Sequence, residues 1–158
     1  METNRREFLK TMGIATLCAC TGAAGFNSCS MIKGVSKTTP IPSEAITHNG
    51  NFLMIDLEQS AFLQITGRAG KISLEDEDQT KIIVVHHSPG QYKAFSDRCT
   101  HGGRELNYLH EKEQLQCSSF GHSAFKLTNG HVIKGPAEGP LAIYPTSKSG
   151  NILNVQIS

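Results

Sequence analysis

Four residues carry the chemistry this sequence offers. Cys99 and His101 lie in Cys99-Thr100-His101-Gly102-Gly103. Cys117 and His122 lie in Cys117-Ser118-Ser119-Phe120-Gly121-His122-Ser123. Each segment supplies one thiol and one imidazole, and 15 residues (102–116) separate the pairs. Thiolate is a soft ligand and imidazole a borderline one, so the set suits two different centres. A zinc ion accepts two Cys and two His in a tetrahedral site that braces a fold. A 2Fe–2S cluster accepts the cysteines on one iron and the histidines on the other. Ligand types alone leave both open. His86, His87, His110 and His131 have no thiol beside them and are expected on solvated strands or turns. Elsewhere there is no Ser-His-Asp order, paired-carboxylate motif or nucleotide-binding glycine loop, which points away from bond-making chemistry. Glu75-Asp76-Glu77-Asp78 reads as a solvated turn, because it lacks the glycine and the twelfth-position acid of a calcium loop.

The segment from Arg98 to Leu141 resembles the cluster-binding region of Rieske proteins, whose two loops run Cys-x-His and then Cys-x-x-His. The first loop matches, including the glycine that lets backbone approach the inorganic sulfides. Ser123-Ala124-Phe125, Thr128-Asn129-Gly130, Gly135-Pro136-Ala137 and Pro140-Leu141 then follow in the family's usual order. Gly135-Pro136-Ala137 looks like the loop that covers the cluster from one side. The resemblance implies one Rieske-type 2Fe–2S cluster held by Cys99, His101, Cys117 and His122, with Ser123 donating to a bridging sulfide. It also implies one-electron transfer, with the two imidazoles as the exit route.

Two departures stand out. Four residues lie between Cys117 and His122 where the family usually has two, so Phe120 stands at the usual histidine. A bulge in which Gly121 takes an unusual backbone angle would absorb the extra length. The bland alternative leaves His122 a surface residue and the centre short of a ligand. Many Rieske proteins also brace the loops with a disulfide, and here those places hold Arg104 and Ser119. Losing both together is a consistent unbraced variant. It favours the lower part of the family's range of roughly −150 to +300 mV, while a Ser123 hydrogen bond would raise the potential.

Short apolar runs between turn residues must position these loops. Phe52–Leu57, Ala61–Ile65, Lys71–Leu74 and Lys81–Val85 read as strands. Ser88-Pro89-Gly90 turns the last of these into Tyr92–Phe95. Ala124–Leu127 and His131–Ile133 form a second hairpin about Asn129-Gly130, and Ile152–Ile157 alternates like a half-buried closing strand. The expected fold is all-β: a Rieske-like antiparallel sandwich over 46–158, with an inserted two-loop cluster-binding subdomain at about 95–141.

The 158 residues, with a net charge of +1 and no Trp, suit one modest domain and give no basic face for nucleic acid. Arg5-Arg6-Glu7-Phe8-Leu9-Lys10 and the apolar stretch after it resemble a twin-arginine signal over 1–30. That route exports folded, cofactor-loaded proteins, so a periplasmic location is expected. Leu17-Cys18-Ala19-Cys20 and Phe26-Asn27-Ser28-Cys29 each resemble a lipoprotein box, with Cys29 favoured by its longer apolar run. A diacylated Cys29 or Cys20 would hold the domain at a membrane surface, whereas cleavage near Ala23 or Ala24 would release it. Residues 31–45, rich in Ser, Thr, Pro and Lys, read as a flexible tether. About 125 residues would remain after a leader, too few for a mononuclear-iron oxygenase domain as well. The expected partner is therefore a separate cytochrome, molybdoenzyme or quinol-oxidising complex. The competing reading is a zinc-stabilised or cluster-less binding lipoprotein with no redox role.

Overall fold

The structure is a computed structural model that describes residues 38–76, 79–119 and 122–157. The signal, both lipoprotein boxes and residues 31–37 of the tether lie outside the described residues. Within them the chain forms short strands and 3-10 turns, as the all-β reading expects.

One sheet has five strands in the order β1 (Thr39–Pro40), β4 (Ala69–Ser73), β5 (Lys81–Ser88), β6 (Gln91–Ser96) and β11 (Ile143–Tyr144). A second runs β12 (Thr146–Ser149), β13 (Ile152–Gln156), β3 (Phe52–Asp56) and β2 (Ile46–Asn49). The third runs β10 (Val132–Lys134), β9 (Ala124–Lys126), β8 (Gln114–Cys117) and β7 (Leu106–Leu109). Every pairing is antiparallel except β1 with β4.

The sequence of β5 explains the layering. Side chains alternate across a strand, so a run apolar at successive positions must be covered on both faces. Ile82 and Val84 pack with Leu53, Ile55, Leu153 and Val155 of the second sheet. Ile83 and Val85 pack with Leu106, Leu115 and Phe125 of the third. All four β5 residues are fully buried, and each such side chain contributes roughly 1.5–3 kcal/mol of burial. The third sheet is an insertion: β6 and β11 are direct neighbours, with Phe95 opposite Ile143, and β7 to β10 lie between them in sequence.

Three local expectations change. The folded domain begins before residue 46: β1 pairs with β4, and Ile41 and Ala45 join the core. Ile41 lies so close over β4 that a Cβ on Gly70 would fall 2.6 Å from its Cγ1, which only a glycine permits. The tether reading of 31–45 is therefore corrected over 38–45, because composition hid one anchoring Ile among polar residues. Ala61–Gln64 is a 3-10 turn, not a strand. Asp56 accepts the Glu58 N–H at 2.8 Å and turns the chain toward this segment, in which Leu63 is the buried residue. His86 is buried rather than solvated, since β5 runs on to Ser88 and carries it onto the inner face with Ile82 and Val84. It stacks on Tyr92 with ring centroids 4.4 Å apart and accepts the Gly90 N–H at Nε2, 3.2 Å.

Candidate metal centre

Three loops at one end of the third sheet meet around the two cysteines. The first leaves β6 and is a tight turn, in which Cys99 N–H donates to Arg104 O at 2.8 Å and Gly103 N–H to Cys99 O at 2.7 Å. It ends in β7, whose Leu106 is registered opposite Cys117 at the end of β8. The second is stitched to it, with Ser118 N–H donating to Glu105 O at 2.9 Å, and closes on itself through Cys117 N–H to Ser123 O at 2.8 Å. The third contains Gly135-Pro136-Ala137 and joins both others. Ala137 N–H donates to the Ser123 hydroxyl at 3.1 Å, and the Thr100 hydroxyl donates to Gly139 O at 2.8 Å.

Cys99 and Cys117 are both buried and both free thiols. Burial pushes the Cys117 thiol up. The Ser119 hydroxyl and N–H, the Cys99 thiol and the Arg104 charge together outweigh it, and the net shift is downward. The Ser119 hydroxyl lies 3.0 Å from Cys117 Sγ. A thiolate is the ligand form of cysteine, so this surrounding favours metal binding. The two cysteines belong to one buried cluster. His101 and His122 are exposed on the same two loops. His122 itself takes the left-handed backbone, φ +43°, while Gly121, where the unusual angle was expected, lies outside the described residues. Its Nδ1 lies 3.1 Å from Cys117 O. A carbonyl can only accept, so Nδ1 is the donor in this bond.

The structure thus brings the two thiols together beneath the loops and leaves the two imidazoles outside. Among the described residues, no three His, Cys, Asp or Glu side chains gather around one point as a single ion requires. A two-iron cluster spreads its four ligands over two metal positions, paired thiolates on one and paired imidazoles on the other. The donor set fits it.

Sequence reasoning missed one feature of the site. Asp97, just before the first loop, is buried and accepts the Leu106 N–H at 2.6 Å. Lys71 of β4 lies 3.1 Å from Asp97 and 2.9 Å from Glu105, and Lys81 of β5 lies 2.8 Å from the other Glu105 oxygen. Nothing in the sequence pairs residues 34 and 24 positions apart. The two lysines hold the Glu105 carboxyl down at about 2, from an ordinary 4.5. Burial raises that of Asp97, against the Leu106 N–H and Lys71. The signs oppose. Glu105 stabilises the fold above about pH 4.5 and loses this as pH falls toward 2, whereas protonating Asp97 relieves a burial cost. Glu105→Gln isolates the first effect. The stability gap between wild type and variant, from urea unfolding, is expected to be steady above pH 4.5 and to shrink toward zero near pH 2. A gap that persists into acid would contradict it.

Comparison with known proteins agrees with this geometry. The family model for the Rieske [2Fe-2S] domain matches residues 56–145. The 3-phenylpropionate/cinnamic acid dioxygenase ferredoxin subunit of Photorhabdus laumondii is 35% identical over 79 residues, covering 48% of this chain and 73% of that protein. The subunit of the same name from Escherichia coli K12 is 28% identical over 82 residues, covering 51% and 76%. Among solved structures, the reduced complex between oxygenase and ferredoxin in carbazole 1,9a-dioxygenase contains a chain with TM-score 0.53. It is 13% identical, the match covers 69% of this chain and 29% of that one, and it bears on the fold alone. The family match spans more than half of the chain and encloses all three loops. This chain belongs to the Rieske [2Fe-2S] domain family, and its cofactor is a single Rieske-type 2Fe–2S cluster.

Proposed function

We propose that Cys99 and Cys117 hold one iron of the cluster, that His101 and His122 hold the other, and that the protein carries single electrons to or from a larger redox enzyme or respiratory complex. The observation that carries this reading is the pair of adjoining buried thiols beneath two exposed imidazoles. When bound, such a cluster supplies a one-electron couple whose potential rises with imidazole ligation and with hydrogen bonds to its sulfurs. The chain's residues do the rest. Buried Cys99 and Cys117 keep one side of the site from water. His101 and His122 stand at the surface, where a docked partner would meet them. The Ser123 hydroxyl accepts from Ala137 N–H, which leaves its own proton free to donate to a sulfide.

A partner protein follows from this, because a one-electron carrier takes its electron from one redox centre and passes it to another. The relatives named above are ferredoxin subunits of a dioxygenase. The twin-arginine resemblance of the leader argues for a partner met outside the cytoplasm, such as a cytochrome, molybdoenzyme or quinol-oxidising complex. Lipidation of Cys29 or Cys20 would anchor the domain to the membrane at that location.

Low-temperature EPR of the dithionite-reduced protein, prepared iron-replete, tests the reading. A rhombic signal with average g below the free-electron value is expected, and it should vanish on reoxidation. An EPR-silent protein that contains zinc or no metal would overturn it, leaving the zinc-stabilised or cluster-less binding protein.

A further inference from the structure

Asp97 and Glu105 bracket the turn that presents Cys99 and His101, and each is tied to the central sheet. Lys71 from β4 reaches both carboxylates, at 3.1 and 2.9 Å, and Lys81 from β5 closes on the second oxygen of Glu105 at 2.8 Å. Backbone bonds reinforce the same two ends: Asp97 N–H donates to Lys81 O at 2.8 Å, and Leu106 N–H to the Asp97 carboxylate at 2.6 Å. No disulfide joins the first two loops, since Cys99 and Cys117 are both free. Among the described residues, the base of the first loop is therefore fixed by hydrogen bonds, by these ion pairs and by the packing of Cys99 and Leu106 in the core, without a covalent link.

The energetics give this network a particular task. The Asp97 side chain is 2% exposed and that of Lys71 16%, so both have surrendered most of their hydration. Desolvation of a buried ion pair cancels much of its attraction, so such a pair adds little net stability. What survives the cancellation is direction. One ammonium satisfied by two carboxylates permits few relative placements of the residues that carry them, and here those residues are the two ends of the loop.

We propose that Lys71, Asp97, Glu105 and Lys81 form an ionic clasp that sets the position of the first ligand loop, doing without a covalent brace. These are positioning residues. The clasp rests on the cluster-ligand reading of Cys99 and His101 for its purpose, but not for its existence.

Backbone amide exchange in the full chain, with and without cluster, tests it. Lys71→Met and Glu105→Gln are each expected to speed exchange across residues 98–106 about tenfold, measured against the β3–β13 ladder, which reports global opening. The double variant should fall short of the product of the two single effects, because both remove the Lys71–Glu105 contact while only Glu105→Gln also removes the Lys81 pair. Lys71→Arg, which keeps the charge, should stay within about threefold of wild type. In the loaded protein, cluster loss to a chelator should accelerate in the same order. Wild-type exchange in both single variants, or accelerations that simply multiply in the double, would overturn the clasp. Loop amides that respond as expected in a protein that takes up no cluster would leave the clasp standing and refute the electron-carrier reading. Loop amides that do not respond in a protein that does take up cluster would do the reverse.

Discussion

Replacing Cys117 by Ser is expected to strip the protein of its cluster, cutting bound iron and sulfide by about tenfold or more. The argument is one of ligand chemistry. A Ser hydroxyl in the same place stays protonated at neutral pH, whereas the Cys117 thiol is already drawn toward ionisation by Ser119, Cys99 and Arg104. Hard oxygen is also a poor substitute for thiolate at an iron–sulfur site. Cys99→Ser should behave alike, since the two thiols share one buried position at the base of the loops. Neither change should unfold the domain: the β7–β8 ladder that carries Cys117 is held by backbone pairing and by Leu106, Tyr108 and Leu115 in the core. His122→Ala should also lose the rhombic EPR signal despite its longer loop. His131→Ala, exposed and beside no thiol, should keep it. Iron and sulfide per protein, visible absorbance and far-ultraviolet circular dichroism read all four variants. A Cys117→Ser protein that retains wild-type iron would refute the ligand assignment.

How far the sequence reaches depends on the range of the forces concerned. The apolar run of β5, the alternation in β13 and the turn residues at Gly90 and Gly130 are local signals. The strands they specify appear within two or three residues of where they were expected. The two Cys- and His-bearing loops stood out for the same reason, because residue types and their spacing are local. Strands with weak patterns were not. β7 and β8 read as Leu-Asn-Tyr-Leu and Gln-Leu-Gln-Cys, and they become strands because each pairs with the other beneath the second core cluster. His86 shows the same limit, since it faces inward only because β5 runs on to Ser88 and the ring finds Tyr92 to stack on. The lysine–carboxylate network is invisible for a different reason. Its members are ordinary surface residue types, and only the fold of β4, β5 and the first loop brings them within hydrogen-bonding distance.

Gly135→Ala is expected to be the most damaging single-methyl change near the site. Gly135 has φ +96°, a backbone conformation that an L side chain adopts only under strain of about 1–3 kcal/mol. The added Cβ would also fall 2.5 Å from Ser123 Cα and 2.9 Å from Ser123 N and Oγ. The first two are backbone atoms of a fully buried residue, which cannot swing aside as a side chain would. Such overpacking costs a further 1–3 kcal/mol or so, for a total of about 3 kcal/mol. That is a large share of the 5–15 kcal/mol or so that holds a domain together, and it corresponds to a fall in Tm of roughly 10 °C. Relief would come by lifting the third loop off the second, which breaks the Ala137 N–H bond to the Ser123 hydroxyl. The cluster should therefore be lost faster at temperatures where the fold survives. Gly139→Ala is the matched control, because a Cβ there meets nothing within 4 Å and the Thr100 bond goes to its backbone oxygen. Thermal unfolding and the decay of visible absorbance, measured side by side, separate the two variants. Equal behaviour would mean that the third loop does not press on Ser123, and that its hold on the site comes from the Thr100–Gly139 contact alone.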